Sequence, residues 1–210
     1  MKEMEVVLMS STPTPELICA RAMRSCRTLE AAHELPMTHD DARRLIKAAK
    51  KMGHFGVLEF AHFTFSVKNV SRALTHQFVR HRLFSFCQQS QRAVDVEGED
   101  NKPSYIYPDS IQMMGEDAVQ DYDMMMEEIF TSYTRFKDVY KMEPEDARFL
   151  LPNACATNIV VSGNARVWLH FFKLRLDPHA QWEIRKMAKI MYEECLRLAP
   201  SIFEEIPISV

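Results

Sequence analysis

The sequence predicts an α+β fold on three observations. Short β-branched or aromatic runs at Glu5 to Ser10, Phe60 to Val67 and Ala156 to Val161 read as strands. Longer stretches with apolar residues at helical spacing lie between and after them. The 210 residues and 24.5 kDa fit one domain, at most one with an appended helical lobe, burying roughly 70% of the unfolded surface. Residues 1–210 are therefore read as a single domain.

In chain order, the first strand is followed by Pro13 and Pro15 and then an amphipathic helix over Glu16 to Arg24. Thr38 is suited to cap a helix with Asp40 and Asp41 in its first turn; Ala42, Leu45, Ile46 and Ala49 continue it to Met52, and Gly53 stops it. The run FAHFTFSV from Phe60 suits a buried strand, after which Ser71 caps a helix reaching about Val79. Periodicity fails from Arg80 to Val94, and Pro103 to Pro108 reads as extended or turn-like, so this stretch is expected to be loop. Ile111 to Met142 carries Met113, Met114, Tyr122, Met125, Met126, Phe130 and Tyr133 at helical spacing, in one helix or two, assigned to core or subunit contact. A short helix from Glu145 to Leu150 ends at Pro152, and helices over Asn164 to Leu176 and His179 to Leu198 follow the third strand.

Composition narrows the function. At 47% hydrophobic and 26% charged residues the chain is a globular protein, without the uninterrupted apolar run of roughly 20 residues that a membrane span needs. A cytoplasmic location is expected, with no membrane partner. Cys19, Cys26, Cys87, Cys155 and Cys195 are scattered without a C-x-x-C, which suggests reduced thiols and no zinc site. H-E-x-x-H is absent, and no metal is expected. Net charge −3 and a pI near 6.2 argue against a nucleic-acid partner.

Charge is nevertheless unevenly distributed. No acid occurs between Glu59 and Asp95, where Lys68, Arg72, Arg80, Arg82 and Arg92 lie, nor from Arg148 to Leu176, which holds Arg148, Arg166, Lys173 and Arg175. Two cationic regions in an acidic protein point to a local anionic ligand. The five glycines form neither G-x-G-x-x-G nor a P-loop, so side chains must hold any phosphate. The segment from Gln77 through Arg80, His81, Arg82, Gln88, Gln89, Ser90 and Gln91 to Arg92 offers fork-shaped donors for phosphate and amides for a heterocycle edge. It also reads as a solvated basic turn, a reading weakened by the missing acids. On the Asn164 to Leu176 helix, Asn164, Trp168, Phe171 and Arg175 share one side, with Arg166, His170 and Lys173 on another. The apolar remainder, including Val167, Leu169, Phe172 and Leu174, suggests a largely buried helix whose guanidiniums need either a distant carboxylate or an anionic ligand.

Arg80-His81-Arg82, seven further residues and Ser90 resemble the R-H-R-x7-S signature of the flavin-dependent thymidylate synthases. Thr12-Pro13-x-Pro15-Glu16, Ala22-x-Arg24-x-Cys26, Gly53-His54, Glu59, Phe63-Thr64-Phe65, Asn164-Ala165-Arg166, Leu174-Arg175 and His179-Ala180-Gln181-Trp182-Glu183 are similar to other blocks of the family, in its order. The resemblance implies a twisted, largely antiparallel sheet flanked by long helices, a homotetramer with active sites built by several subunits, and conversion of dUMP to dTMP. Methylenetetrahydrofolate would give the carbon, and NADPH the hydride through FAD. By position, His54, Gly56, Arg80, His81, Arg82, Gln88, Asn164, Arg166 and His170 would contact FAD. Gln77, Arg80, Gln88, Gln89, Ser90, Gln91, Arg92, Arg148 and Arg175 would contact dUMP, with Arg148 coming from a neighbouring subunit and Arg175 acting on the pyrimidine as the catalytic cation. Cys87 is not expected to be a nucleophile, and Ser90, with no evident base, is assigned to binding. Phe60, Ala93 and Gly56 depart from the family's usual histidine, tyrosine and hydroxyl residue. These departures frame the alternative of a non-catalytic nucleotide- or flavin-binding relative.

Overall fold

The computed structural model describes residues 3–94 and 104–204. Pro103, the first residue of the expected turn-like stretch, lies outside them. The elements run β1 (Glu5–Ser11), α1 (Pro15–Ser25), α2 (His39–Lys51), a 3₁₀ turn (Phe55–Phe60), β2 (His62–Ser71), α3 (Arg72–Phe78) and β3 (Ser85–Gln88). Then come α4 (Asp109–Met113), α5 (Glu116–Asp138), α6 (Pro144–Ala147), a second 3₁₀ turn (Arg148–Leu150), β4 (Ala156–Asn164), α7 (Ala165–Arg175), α8 (Trp182–Leu198) and α9 (Pro200–Phe203).

The strands form one sheet in the order β1-β2-β4-β3. Asn69 Nδ2 donates to the Glu3 carbonyl at 2.8 Å while the Thr12 N–H reaches the His62 carbonyl at 2.9 Å, so β1 and β2 run antiparallel. Thr64 and Ser162 hydroxyls meet at 2.8 Å and Asn69 N–H donates to Asn158 Oδ1 at 3.3 Å, giving β2 and β4 the same relation. The α+β expectation and its antiparallel sheet are what the structure has.

The chain divides into two compact units. The first comprises the described residues of Met1–Glu5, Val67–Phe78 and Cys87–Ile159. Its long helix α5 turns Met126, Phe130 and Tyr133 inward. Tyr105 and Tyr107 both donate to Asp123, and Tyr122 donates to the Ile106 carbonyl at 3.0 Å. With Ile106 N–H bonded to the Ala154 carbonyl at 2.9 Å, this fastens residues 104–108 as an extended strap. Met113, Met114 and Met125 are exposed, so of the two places expected for them, core or subunit contact, they do not take the core of this chain.

The second unit comprises the described residues of Val6–Ser66, Val79–Phe86 and Val160–Val210. Its core is aromatic: Trp168 stacks on Phe172 at 5.6 Å and meets Phe65 edge-on at 5.2 Å, and its indole N–H donates to the Gly163 and Phe63 carbonyls. Such pairs add roughly 0.5–1.5 kcal/mol each beyond buried area. The α2 cap forms as the sequence predicts, Thr38 Oγ1 accepting from the Asp41 N–H at 3.1 Å, and Gly53 takes φ +73 after the helix. From α2, Lys50 Nζ donates to the carbonyls of Ile202 and Glu204 at 3.1 and 2.9 Å, and from α1, Glu16 Oε1 accepts from the Ser201 N–H at 2.6 Å.

The structure differs from expectation at several places, and the last long helix starts at Trp182 and not His179. Phe60 is exposed at the end of a 3₁₀ turn, and the strand begins at His62. The stretch expected to be loop contains β3, whose four residues are ordered by pairing with β4 and not by their own pattern. Leu174 is exposed, so the apolar run on α7 is buried on one side only.

Candidate functional site

In the second unit the R-H-R segment follows α3 as a short turn leading into β3. Phe84 anchors it. Its ring lies 4.4 Å from that of Trp168 and so near Gly163 that a Cβ added there would sit 2.3 Å from Phe84 Cδ1. Only glycine lets the ring lie against the strand. With Phe84 fixed, His81 is half-buried, edge-on to Phe171 at 5.0 Å, while Arg80 and Arg82 are exposed. Arg175, in the last turn of α7, donates from Nε to His81 Nε2 at 3.0 Å. An imidazole nitrogen that accepts cannot carry a proton, so His81 is neutral with its proton on Nδ1. Burial, the Arg175 cation and His170 all push the same way, bringing the His81 pKa down to about 4.

Around α7, Asn164 caps the helix, its Oδ1 accepting from the Val167 N–H at 3.1 Å, and His170 is exposed. Arg166 pairs with Glu59 at 2.6 Å. Of the two partners left open for the helix guanidiniums, this one takes the distant carboxylate, whereas Arg175 takes an imidazole. The side chains of Arg166 and Glu59 are 55% and 46% exposed, so the pair holds by no more than about 1 kcal/mol and is open to exchange. His54 and Gly56 line a cavity of about 540 Å³ together with Ala22, Cys26, Val57 and Phe60. Phe60, a departure in sequence, thus has a place in the wall of an apolar recess.

In the first unit, Gln77 is half-buried on α3. Gln88 at the end of β3 donates to Thr75 Oγ1 at 2.9 Å and reaches Thr157 Oγ1 at 3.4 Å, and the Gln89 N–H donates to the Asn158 carbonyl at 2.9 Å. Ser90 Oγ accepts from the Arg92 N–H at 3.2 Å, the geometry of a turn and not of an activated hydroxyl. Cys155 is buried, which pushes its thiol pKa up to about 11. Arg92 pairs loosely with Glu145 at 3.6 Å, and Arg148 Nε donates to the Glu145 carbonyl at 3.0 Å, so one residue gathers two predicted substrate arginines. Arg72, a neighbour of Arg148 and Cys155, was not among the residues singled out for a site. Its only sequence signal is membership of the acid-free stretch. Among the described residues no group of three or more His, Cys, Asp or Glu is placed to hold a metal ion.

Exposed guanidiniums beside a neutral, immobilised imidazole, on an α+β framework, are the chemistry that suits phosphorylated ligands. The comparisons narrow this class. Residues 7–201 match the family model described as thymidylate synthase complementing protein. The flavin-dependent thymidylate synthase of Geobacter sulfurreducens is 39% identical over 204 residues, covering 96% of this chain and 86% of that protein. Its namesake from Clostridium tetani is 33% identical, covering 95% and 85%. Among solved structures, a UMP/dUMP methylase from Streptomyces cacaoi bound with 5-Br dUMP superposes with TM-score 0.80 at 24% identity, covering 96% of this chain and 94% of that one. Thymidylate synthase X from Helicobacter pylori with FAD and dUMP gives 0.73 at 20%, covering 97% and 99%, and these two likenesses bear on the fold alone. The chain belongs to the flavin-dependent thymidylate synthase family.

Proposed function

We infer that the chain is an FAD-dependent thymidylate synthase, a methyltransferase that converts dUMP to dTMP. The observation that carries this reading is the Arg175–His81 contact, which holds a permanent cation at a fixed place in a chain whose near full-length relatives bear that activity. Arg175 acts on the pyrimidine: a guanidinium at the N3 and O4 edge favours the anionic ring and makes carbon 5 more nucleophilic. Arg80 supports it at the nucleotide, while Gln77, Gln88, Gln89, Ser90, Gln91, Arg92 and Arg148 bind the rest of dUMP.

The residues fit FAD. Arg80 and Arg82 take no carboxylate among the described residues, and a pyrophosphate supplies the anion they lack. His54, Gly56, His81, Gln88, Asn164, Arg166 and His170 complete the assignment. FAD held by these residues would supply the redox chemistry, drawing its reducing equivalents from NADPH, with methylenetetrahydrofolate as the one-carbon donor. The protein's part is orientation and positive potential, which accounts for many arginines and no acid–base pair.

The family match over residues 7–201 supports reading the chain as one catalytic domain. Exposed Met113, Met114, Met124 and Met125 supply apolar surface for a homotetramer. No helix among the described residues is long and apolar enough to cross a membrane. The test is release of tritium from dUMP labelled at carbon 5. Release that requires both methylenetetrahydrofolate and NADPH is expected; a yellow, dUMP-binding protein that releases none would establish the non-catalytic alternative.

A further inference from the structure

We infer that Arg72 is an additional nucleotide-binding residue, which together with Arg148 holds a dianionic phosphate monoester, the 5′-phosphate of the substrate. The inference rests on the dUMP reading above. Arg72 opens α3, and its backbone N–H donates to the Cys155 carbonyl at 3.0 Å, which fixes where the side chain starts. The side chain is half-buried, yet its guanidinium makes no hydrogen bond and no ion pair among the described residues. Its charged neighbour is Arg148, a like charge.

The surroundings do not relieve this. The Glu145 carboxylate is engaged by Arg92, and Arg148 uses only the Glu145 backbone carbonyl. Arg92 and Arg148 thus meet at one residue whose single carboxylate Arg92 already takes, which leaves none for Arg72. A half-buried cation that has no partner and a like charge for its charged neighbour is unfavourable until an anion joins the two. Two guanidinium forks suit the several oxygens of a phosphate monoester better than the two of a carboxylate. Burial and Arg148 both depress the Arg72 pKa, which agrees with that unfavourable state.

The experiment compares the flavin-loaded wild type with Arg72→Ala and Arg72→Lys, measuring affinity for dUMP and for deoxyuridine, and the KM for NADPH. The dUMP dissociation constant should rise roughly ten- to a hundredfold in Arg72→Ala. Arg72→Lys should recover part of the loss, with deoxyuridine affinity, NADPH KM, flavin absorbance and kcat at saturating dUMP nearly unchanged. Unaltered dUMP affinity overturns the inference, as does an equal loss for deoxyuridine, which has no phosphate, or a loss confined to NADPH. A wild type that binds no dUMP defeats the functional reading itself, a separate outcome. Should Arg72→Ala fail to fold, Arg72→Gln keeps the length without the charge and serves the same comparison.

Discussion

His81 sits between a cation that needs an acceptor and an aromatic wall that resists charge. Its pKa, brought down to about 4, lies below the 6.5 of a free imidazole, so the unfolded chain binds the extra proton first. The stability this site contributes is therefore present above about 6.5 and is lost as pH falls through about 4. An NMR titration should find the His81 resonance flat down to pH values near 5, and Arg175→Ala should move its midpoint upward; a midpoint near the free value in the wild type would contradict the geometry. The same variant should cut turnover by roughly a hundredfold or more while keeping its flavin, since a positioned donor to developing charge contributes about that much. Arg80→Ala should instead shed flavin, seen as a fall in absorbance at about 450 nm in the purified protein.

Elements show which features are legible locally. Helix α2 follows from a cap, two early acids and a clean apolar repeat, all within a few residues, and Thr38→Ala should cost about 1 kcal/mol in urea unfolding. Strand β3 is opaque in sequence because its four polar and aromatic residues gain strand geometry only from β4. The site divides in the same manner. The arginines and glutamines were visible as residue types in an acid-poor stretch, but Arg166 meets Glu59 across 107 positions and Arg175 meets His81 across 94, separations that no local pattern encodes. Arg72 stayed hidden because what distinguishes it is a missing partner, a property of three dimensions. Gly163→Ala joins the two scales: the methyl would drive Phe84 off Trp168, with an expected loss of roughly 1–3 kcal/mol by thermal unfolding and weaker flavin retention from the displaced R-H-R turn.

For the whole molecule, composition and charge set the class, an acidic globular protein with confined cationic regions, while the exposed methionines show what a single copy leaves open. Light scattering should give four times the 24.5 kDa of one chain, and Met124→Glu with Met125→Glu should lower that mass without unfolding the monomer. The clasp between Lys50 and the carbonyls around α9 bears on how such a chain is made. That contact spans 152 positions, and the one from Glu16 spans 185. A nascent polypeptide leaving the ribosome therefore carries α1 and α2 for most of its synthesis before their acceptors and donors exist, so this unit matures after translation has passed residue 204 and depends until then on whatever shelters its unfinished amino-terminal half.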